Sequence, residues 1–274
     1  MVFSKNVYFM ERDKLINNPL MANIKLPGRI FQLPSKAMFY KNGELSDDIK
    51  DGEIHIMPMS AMDEITMRNV DQIFSGDGIN AILKNCVKGI EKPAELLSKD
   101  IDAILFFLRV VTYGQFFEFN ATHTCENAKS HVYTADIESI ISSMKFIDPT
   151  LKDTNYSVTL PNEQVVKLRP AIYQNVIDLI KMNEAKKEIT VDDYKNNLFL
   201  TLRGIIVSVD GITDKQMISE WIQAIPSPYV NRILKRMDEL NDWGANTLYT
   251  CTCKDCGEKF ELELPINISN FFTE

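Results

Sequence analysis

Two short segments, far apart in the chain, carry one pattern, and a fold that uses both must bring distant parts of the sequence together. Thr122-His123-Thr124-Cys125-Glu126-Asn127-Ala128 stands against Thr250-Cys251-Thr252-Cys253-Lys254-Asp255-Cys256. An aromatic-glycine pair precedes each, Tyr113-Gly114 and Trp243-Gly244, where a helix is expected to end on a glycine cap. An alternating strand follows each, Val132 to Ile137 in one case and Phe260 to Leu264 in the other. We read two homologous halves of one site.

Cys253-Lys254-Asp255-Cys256-Gly257 has the C-x-x-C-G form, in which a tight turn aims two sulfurs at one point. Tetrahedral zinc needs four ligands, so such a knuckle is completed by a second one that the fold brings in. Here Ala128 stands where the second knuckle's other cysteine belongs, which leaves Cys125, Cys253 and Cys256. The expected site is these three with His123, and Cys251 and His131 remain open alternatives for the fourth place. Two readings follow: a bound structural zinc, or a vestigial site held by hydrophobic packing. Thiol-redox chemistry is disfavoured, because a thioredoxin-like motif opens a helix and this one leads into an alternating strand. A catalytic zinc keeps an open position and a general base nearby, and no such motif accompanies the cysteines.

Elsewhere the patterning is mostly helical. A stripe at Ile79, Ile82, Leu83, Cys86, Val87 and Ile90 predicts a helix over 79–90, with Cys86 as a small buried hydrophobe. Ser98 to Tyr113 is apolar on more than one side and is expected to be the central core helix, with Ser98 as its cap. Further helices are expected from Ser60 (its N-cap) through Val70, over 171–184, 192–209, 214–224 and 227–240. Strand signals occupy the beginning, where Asn42-Gly43 and Asp51-Gly52 punctuate apolar runs and Gly52 to Met57 alternates, with His55 on the polar face. Tyr156 to Leu160 and Val165 to Leu168 flank Pro161-Asn162 as a hairpin.

The expected class is α+β: a mainly helical core, an N-terminal β-hairpin region, and a β-rich, zinc-ribbon-like module made of the two knuckle halves. The corresponding division is 1–58 for the extended N-terminal region, 59–114 with 171–245 for the helical core, and 115–170 with 246–274 for the β-rich module.

Charge and composition exclude several functions. With 38 acidic and 30 basic residues and no long Lys/Arg run, a nucleic-acid footprint is not expected. The longest apolar run, Ile101 to Tyr113, contains Asp102 and Arg109 and is too short to span a membrane. Met1 to Asn6 lacks the apolar core of a signal peptide, and cysteines in two clusters point to a reducing, cytosolic setting. Gly76-Asp77-Gly78 lacks the Lys-Ser/Thr of a phosphate loop, and no serine, histidine and carboxylate form a nucleophilic pattern. No catalytic residue is named, and no enzyme is expected.

A succession of motifs resembles the T-even phage baseplate hub family, tail baseplate structural or assembly proteins of myoviruses. It runs from Leu33-Pro34-Ser35-Lys36-Ala37-Met38-Phe39-Tyr40 through Gly52 to Ala61, the helix Asp102 to Gly114, the two cysteine segments, Glu261-Leu262-Glu263-Leu264-Pro265 and Asn270-Phe271-Phe272. The resemblance implies a non-enzymatic part in baseplate hub assembly, as a subunit or a chaperone-like factor, in the host cytoplasm or the virion tail. Hub or tape-measure proteins are the implied partners, in a hetero-oligomer, and Ala128 departs from the family's knuckle. The alternative is a cytosolic zinc-ribbon regulatory binding module. Contacts with partners are expected at Phe31 to Met57 and at Phe271-Phe272, unless these pack on the protein's own core.

Overall fold

The computed structural model describes residues 28–41, 43–67, 76–125, 129–151, 156–183, 190–264 and 271–272. Among them the fold is α+β, with helices between small antiparallel sheets. The expected turn at Asn42-Gly43, the end of the first helix at Val70, and Ala128 lie wholly or partly outside these residues.

Strand β1 (Arg29–Gln32) pairs antiparallel with β2 (Glu53–Ile56), as the alternation requires, and His55 is exposed. The expected N-terminal hairpin is instead a three-stranded sheet, because β3 (Val87–Lys88) adds to the free edge of β2. That addition ends the helix α2 (Asp77–Cys86) short of the expected Ile90. The apolar stripe continues through Val87 and Ile90, both buried, but Met57 N–H takes the Cys86 carbonyl at 2.8 Å and Val87 turns extended opposite Ile56. A β-branched residue beside a waiting edge follows the sheet rather than the helix. The preceding helix, α1 (Ala61–Met67), starts on a Ser60–Asp63 capping box, with Ser60 Oγ donating to Asp63 Oδ2 at 2.7 Å.

Helix α3 (Ser98–Tyr113) is the core helix the sequence predicts, buried from Asp100 and Ile101 through Val110 on most sides. Phe31 of β1 stacks on its Phe107 with ring centroids 4.3 Å apart. Leu97, not Ser98, occupies its cap, and Ser98 N–H is spent on the Ala171 carbonyl at 2.9 Å. The first turn holds a fully buried carboxylate: Asp100 accepts from Ser35 N–H (3.0 Å), Ser35 Oγ and Tyr40 Oη (2.7 Å), while Tyr40 Oη accepts from Leu97 N–H (2.9 Å). This network ties the 33–40 turn to the core.

Burial wins over those hydrogen bonds and pushes the Asp100 carboxyl up to about 6. An acid raised above its unfolded value of 3.8 opposes folding when ionised, so its contribution improves as pH falls from above 6 toward 3.8. Denaturation at pH 7 and pH 5 should therefore show wild type gaining roughly 1 kcal/mol relative to Asp100→Asn, which has no such proton to take up. Parallel pH dependence in the two proteins refutes this assignment.

A second buried cluster lies around β6 (Ser157–Thr159), β7 (Val165–Leu168) and β8 (Ile206–Val209), paired in that order. β6 and β7 form the expected hairpin, in register Val158 opposite Val166. The helix expected over 192–209 divides: α6 (Val191–Ile205) gives way to β8, whose Ile206 and Val209 are buried against β7. Helix α4 (Ile137–Ser142) packs on α3, α5 (Tyr173–Asn183) lies beside α6, and α7 (Lys215–Ala224) begins on Asp214, which caps Gln216 N–H (3.0 Å) and Met217 N–H (2.8 Å). Helix α8 (Ser227–Leu240) closes the cluster, with Tyr156 Oη donating to the Leu240 carbonyl at 3.0 Å.

Phe271 and Phe272 are buried at 0% and 2% exposure, as are Phe31, Leu33, Ile54 and Ile56. These residues pack on the protein's own core, the second of the two readings open for these segments, while Arg29 and Ile30 of β1 are exposed.

Candidate metal centre

Two antiparallel hairpins carry the cysteines. One is β4 (Phe116–Thr122) with β5 (Ser130–Asp136), the other β9 (Leu248–Thr252) with β10 (Lys259–Glu263). In each, alternation buries one row: Phe117, Phe119, Tyr133 and Ala135 on the first, Cys251 on the second. Shared core residues press the hairpins together, with Phe119 edge-on to Tyr249 (6.2 Å) and Tyr133 edge-on to Phe260 (5.8 Å). Gly114 caps α3 with φ 86°, as expected. Gly244 does not cap a helix: α8 ends at Leu240, and Gly244 bridges to Lys145 by two backbone hydrogen bonds of 2.8 and 3.2 Å.

The tips meet. Cys125 Sγ lies 4.0 Å from Cys253 Sγ, and His123 Nδ1 lies 3.4 Å from Cys256 Sγ. The donor atoms of all four residues fall within 4.8 Å of one another. The knuckle turn explains the second hairpin's share: Gly257, at φ 79°, reverses the chain so that its N–H reaches the Cys253 carbonyl at 3.0 Å, a left-handed conformation that side chains resist. His123 is held flat against Phe260, with centroids 4.8 Å apart.

The alternative ligands go elsewhere. Cys251 is buried in the core and outside the four-residue group, and His131 Nε2 pairs with Asp255 Oδ2 at 2.9 Å. Asp255 is the residue that motif reading passes over. It also accepts from Lys129 N–H at 3.2 Å, and Lys254 Nζ donates to the Val132 carbonyl at 2.6 Å, so the two x positions of C-x-x-C clamp one hairpin tip to the other. The His131 ring holds the Asp255 carboxyl below the usual range. Nothing in a single sequence marks those positions, because their partners lie in the other hairpin.

The sulfurs are electrostatically unequal. Backbone N–H groups of Cys256 and Asp255 lead in drawing the Cys253 thiol down to about 6. Burial, followed by the neighbouring Cys253 and Cys256 sulfurs, pushes the Cys125 thiol up to about 11. A first thiolate is welcomed and the next is opposed, a conflict that a dication removes. The donor set fits zinc: tetrahedral bonds of about 2.3 Å to sulfur and 2.1 Å to nitrogen place donors roughly 3.5–3.8 Å apart. Two of the separations, 4.0 and 3.4 Å, lie close to that spacing, and the four donors fall within 4.8 Å of one another.

Among the described residues, no helix is long and apolar enough to cross a membrane. Compared with known protein families, residues 44–273 match the model described as "T4 bacteriophage base plate protein". No curated protein and no solved structure matches the chain.

Proposed function

The chain belongs to the T4 bacteriophage base plate protein family, matched over residues 44–273, and from that premise we propose that it is a non-enzymatic structural or chaperone-like assembly protein of the baseplate hub. It works through contacts with hub or tape-measure proteins, in the host cytoplasm during assembly or in the virion tail. The family match carries this reading. The metal centre supports the architecture it needs: His123, Cys125, Cys253 and Cys256 would hold a structural zinc, as a degenerate zinc-ribbon-like module. When bound, the zinc supplies a cross-link between the tips of two hairpins. The protein's own part is to present one imidazole and three sulfurs, to bury Cys251 beside them in the core, and to brace the tips through Asp255 and Lys254.

The role is tested by following the tagged chain through infection. Recovery with hub or tape-measure proteins from infected cells is expected. Quantitative mass spectrometry of purified particles then separates the two forms of the proposal. Presence at fixed stoichiometry identifies a subunit; absence from particles, with the hub proteins still bound in extracts, identifies an assembly chaperone. A chain found with neither hub proteins nor particles overturns both.

A further inference from the structure

Helix α8 carries three cations on one face, Arg232, Lys235 and Arg236, at the three- and four-residue spacing that aligns side chains. They line an open cleft of about 600 Å³ against strand β6. Among the described residues β6 is an edge strand, since the sheet order is β6-β7-β8. Its pairing also fixes which backbone groups are spent. Leu168 N–H donates to the Tyr156 carbonyl (2.7 Å) and Leu160 N–H to the Gln164 carbonyl (2.9 Å), so Tyr156, Val158 and Leu160 address β7. By the alternation of an antiparallel ladder, the N–H and C=O groups of Ser157 and Thr159 point the other way, into the cleft. The Ser157 carbonyl accepts from Arg236 Nε at 3.2 Å, and Glu239, the carboxylate that lines the cleft among the described residues, is paired with Arg236 at 3.1 Å. Among the described residues, no ion pair is formed by Arg232 or Lys235, and both are exposed. Among the described residues, the chain of net charge −8 thus sets a cationic groove beside a strand edge that no further strand covers, with the Arg236 side chain on its Ser157 carbonyl.

We propose that this cleft is a docking site for an extended acidic segment of a protein partner, which adds a strand to the outer edge of β6 and sets its carboxylates against Arg232 and Lys235. Backbone pairing would give such a contact its register and the charges its selectivity. The inference rests on the assembly role proposed above for the partner being a tail protein.

The probe is a fluorescein-labelled peptide of four Glu-Val repeats, titrated by anisotropy into the full chain, with a four-fold Lys-Val peptide and a single-stranded oligonucleotide as comparisons. The acidic peptide should bind and the basic one should not. Arg232→Glu with Lys235→Glu should weaken binding about tenfold or more. Thr159→Pro, which removes an outward N–H without altering charge, should weaken it by a similar factor. Melting curves confirm that each variant is folded, and if Thr159→Pro is not, main-chain N-methylation of the peptide replaces it. Absence of peptide binding, equal binding by the charge-reversed variant, or an oligonucleotide bound as tightly as the peptide overturns the proposal. Indifference to both main-chain blocks overturns strand addition. If the chain is recovered with tail proteins yet ignores the peptide, the cleft proposal alone falls; if it is not recovered, the assembly role falls whatever the peptide does.

Discussion

Protein purified without added zinc is expected to carry about one zinc ion per chain, and Cys253→Ser to lose both the ion and roughly 3 kcal/mol of stability. For a chain of this size that is a fall in Tm of roughly 8 °C. Isolated zinc fingers depend on the metal for about 10 kcal/mol or more, but they have no other core. Here the hairpins that carry the ligands are already held by Phe117, Phe119, Tyr133 and Cys251, so the metal adds a brace rather than a nucleus. His123→Ala should behave like a weaker form of Cys253→Ser, whereas His131→Ala should keep the zinc and lose only the pairing with Asp255. Elemental analysis and melting curves decide between them. Zinc absent from wild type, with Cys253→Ser melting unchanged, would mean a relic held by packing.

The pH behaviour of the metal-free protein follows from the same sulfurs. Cys253, held at about 6, contributes stability that is full above its ordinary 9.0 and is lost as pH falls through 6. Cys125, raised to about 11, contributes in the opposite sense: its share is full below 9.0 and is lost as pH rises through 11. A zinc ion held by His123, Cys125, Cys253 and Cys256 would supply the charge that lets the three sulfurs be thiolates together.

Phe271→Ala should cost about 4 kcal/mol, more than most single truncations in the chain. The ring is fully buried and meets Phe106, Phe117 and Phe272 edge-on, with centroids 5.6, 5.0 and 5.2 Å away. Such aromatic pairs add to the area they bury, and truncation leaves a cavity between the core helix and the first hairpin. Tyr113 Oη also donates to the Phe272 carbonyl at 2.9 Å, which fixes this segment beside the end of α3. Phe271→Leu, keeping most of the volume, should cost roughly 1–2 kcal/mol. Chemical denaturation measures both. A loss under 1 kcal/mol for the alanine variant would place Phe271 outside the core and favour the partner contact that was the other reading of this segment.

What could be read without coordinates were features that repeat or combine locally. The run from Ile101 to Val110 is apolar on too many sides to face water anywhere but the interior, and it forms the core helix. Thr213 or Asp214, and Pro228, mark helix starts in the sequence because caps and first turns are chemistry of adjacent residues, and Asp214 is the cap. The Pro161-Asn162 hairpin needed only its turn and two alternating flanks. The cysteine segments were legible because two copies of a pattern imply a common place.

Where the chain stops being a helix was another matter. The stripes through Ile90 and Val209 satisfy a helical period, yet both break where a strand edge takes the next backbone groups, β2 for Val87 and β7 for Ile206. Periodicity records which residues are buried but not which hydrogen-bonding edge lies beside them, and that edge belongs to residues about thirty or forty positions away. The choice among His123, Cys251 and His131 has the same origin. All three lie close to a knuckle in sequence, and only the packing of one hairpin on the other stacks His123 on Phe260, buries Cys251 and gives His131 to Asp255. The amino-acid sequence by itself determined most of the helices and hairpins and that two segments share a pattern. Tertiary structure alone decided where they end and which donors face each other, because those outcomes depend on backbone edges and core space supplied by distant parts of the chain.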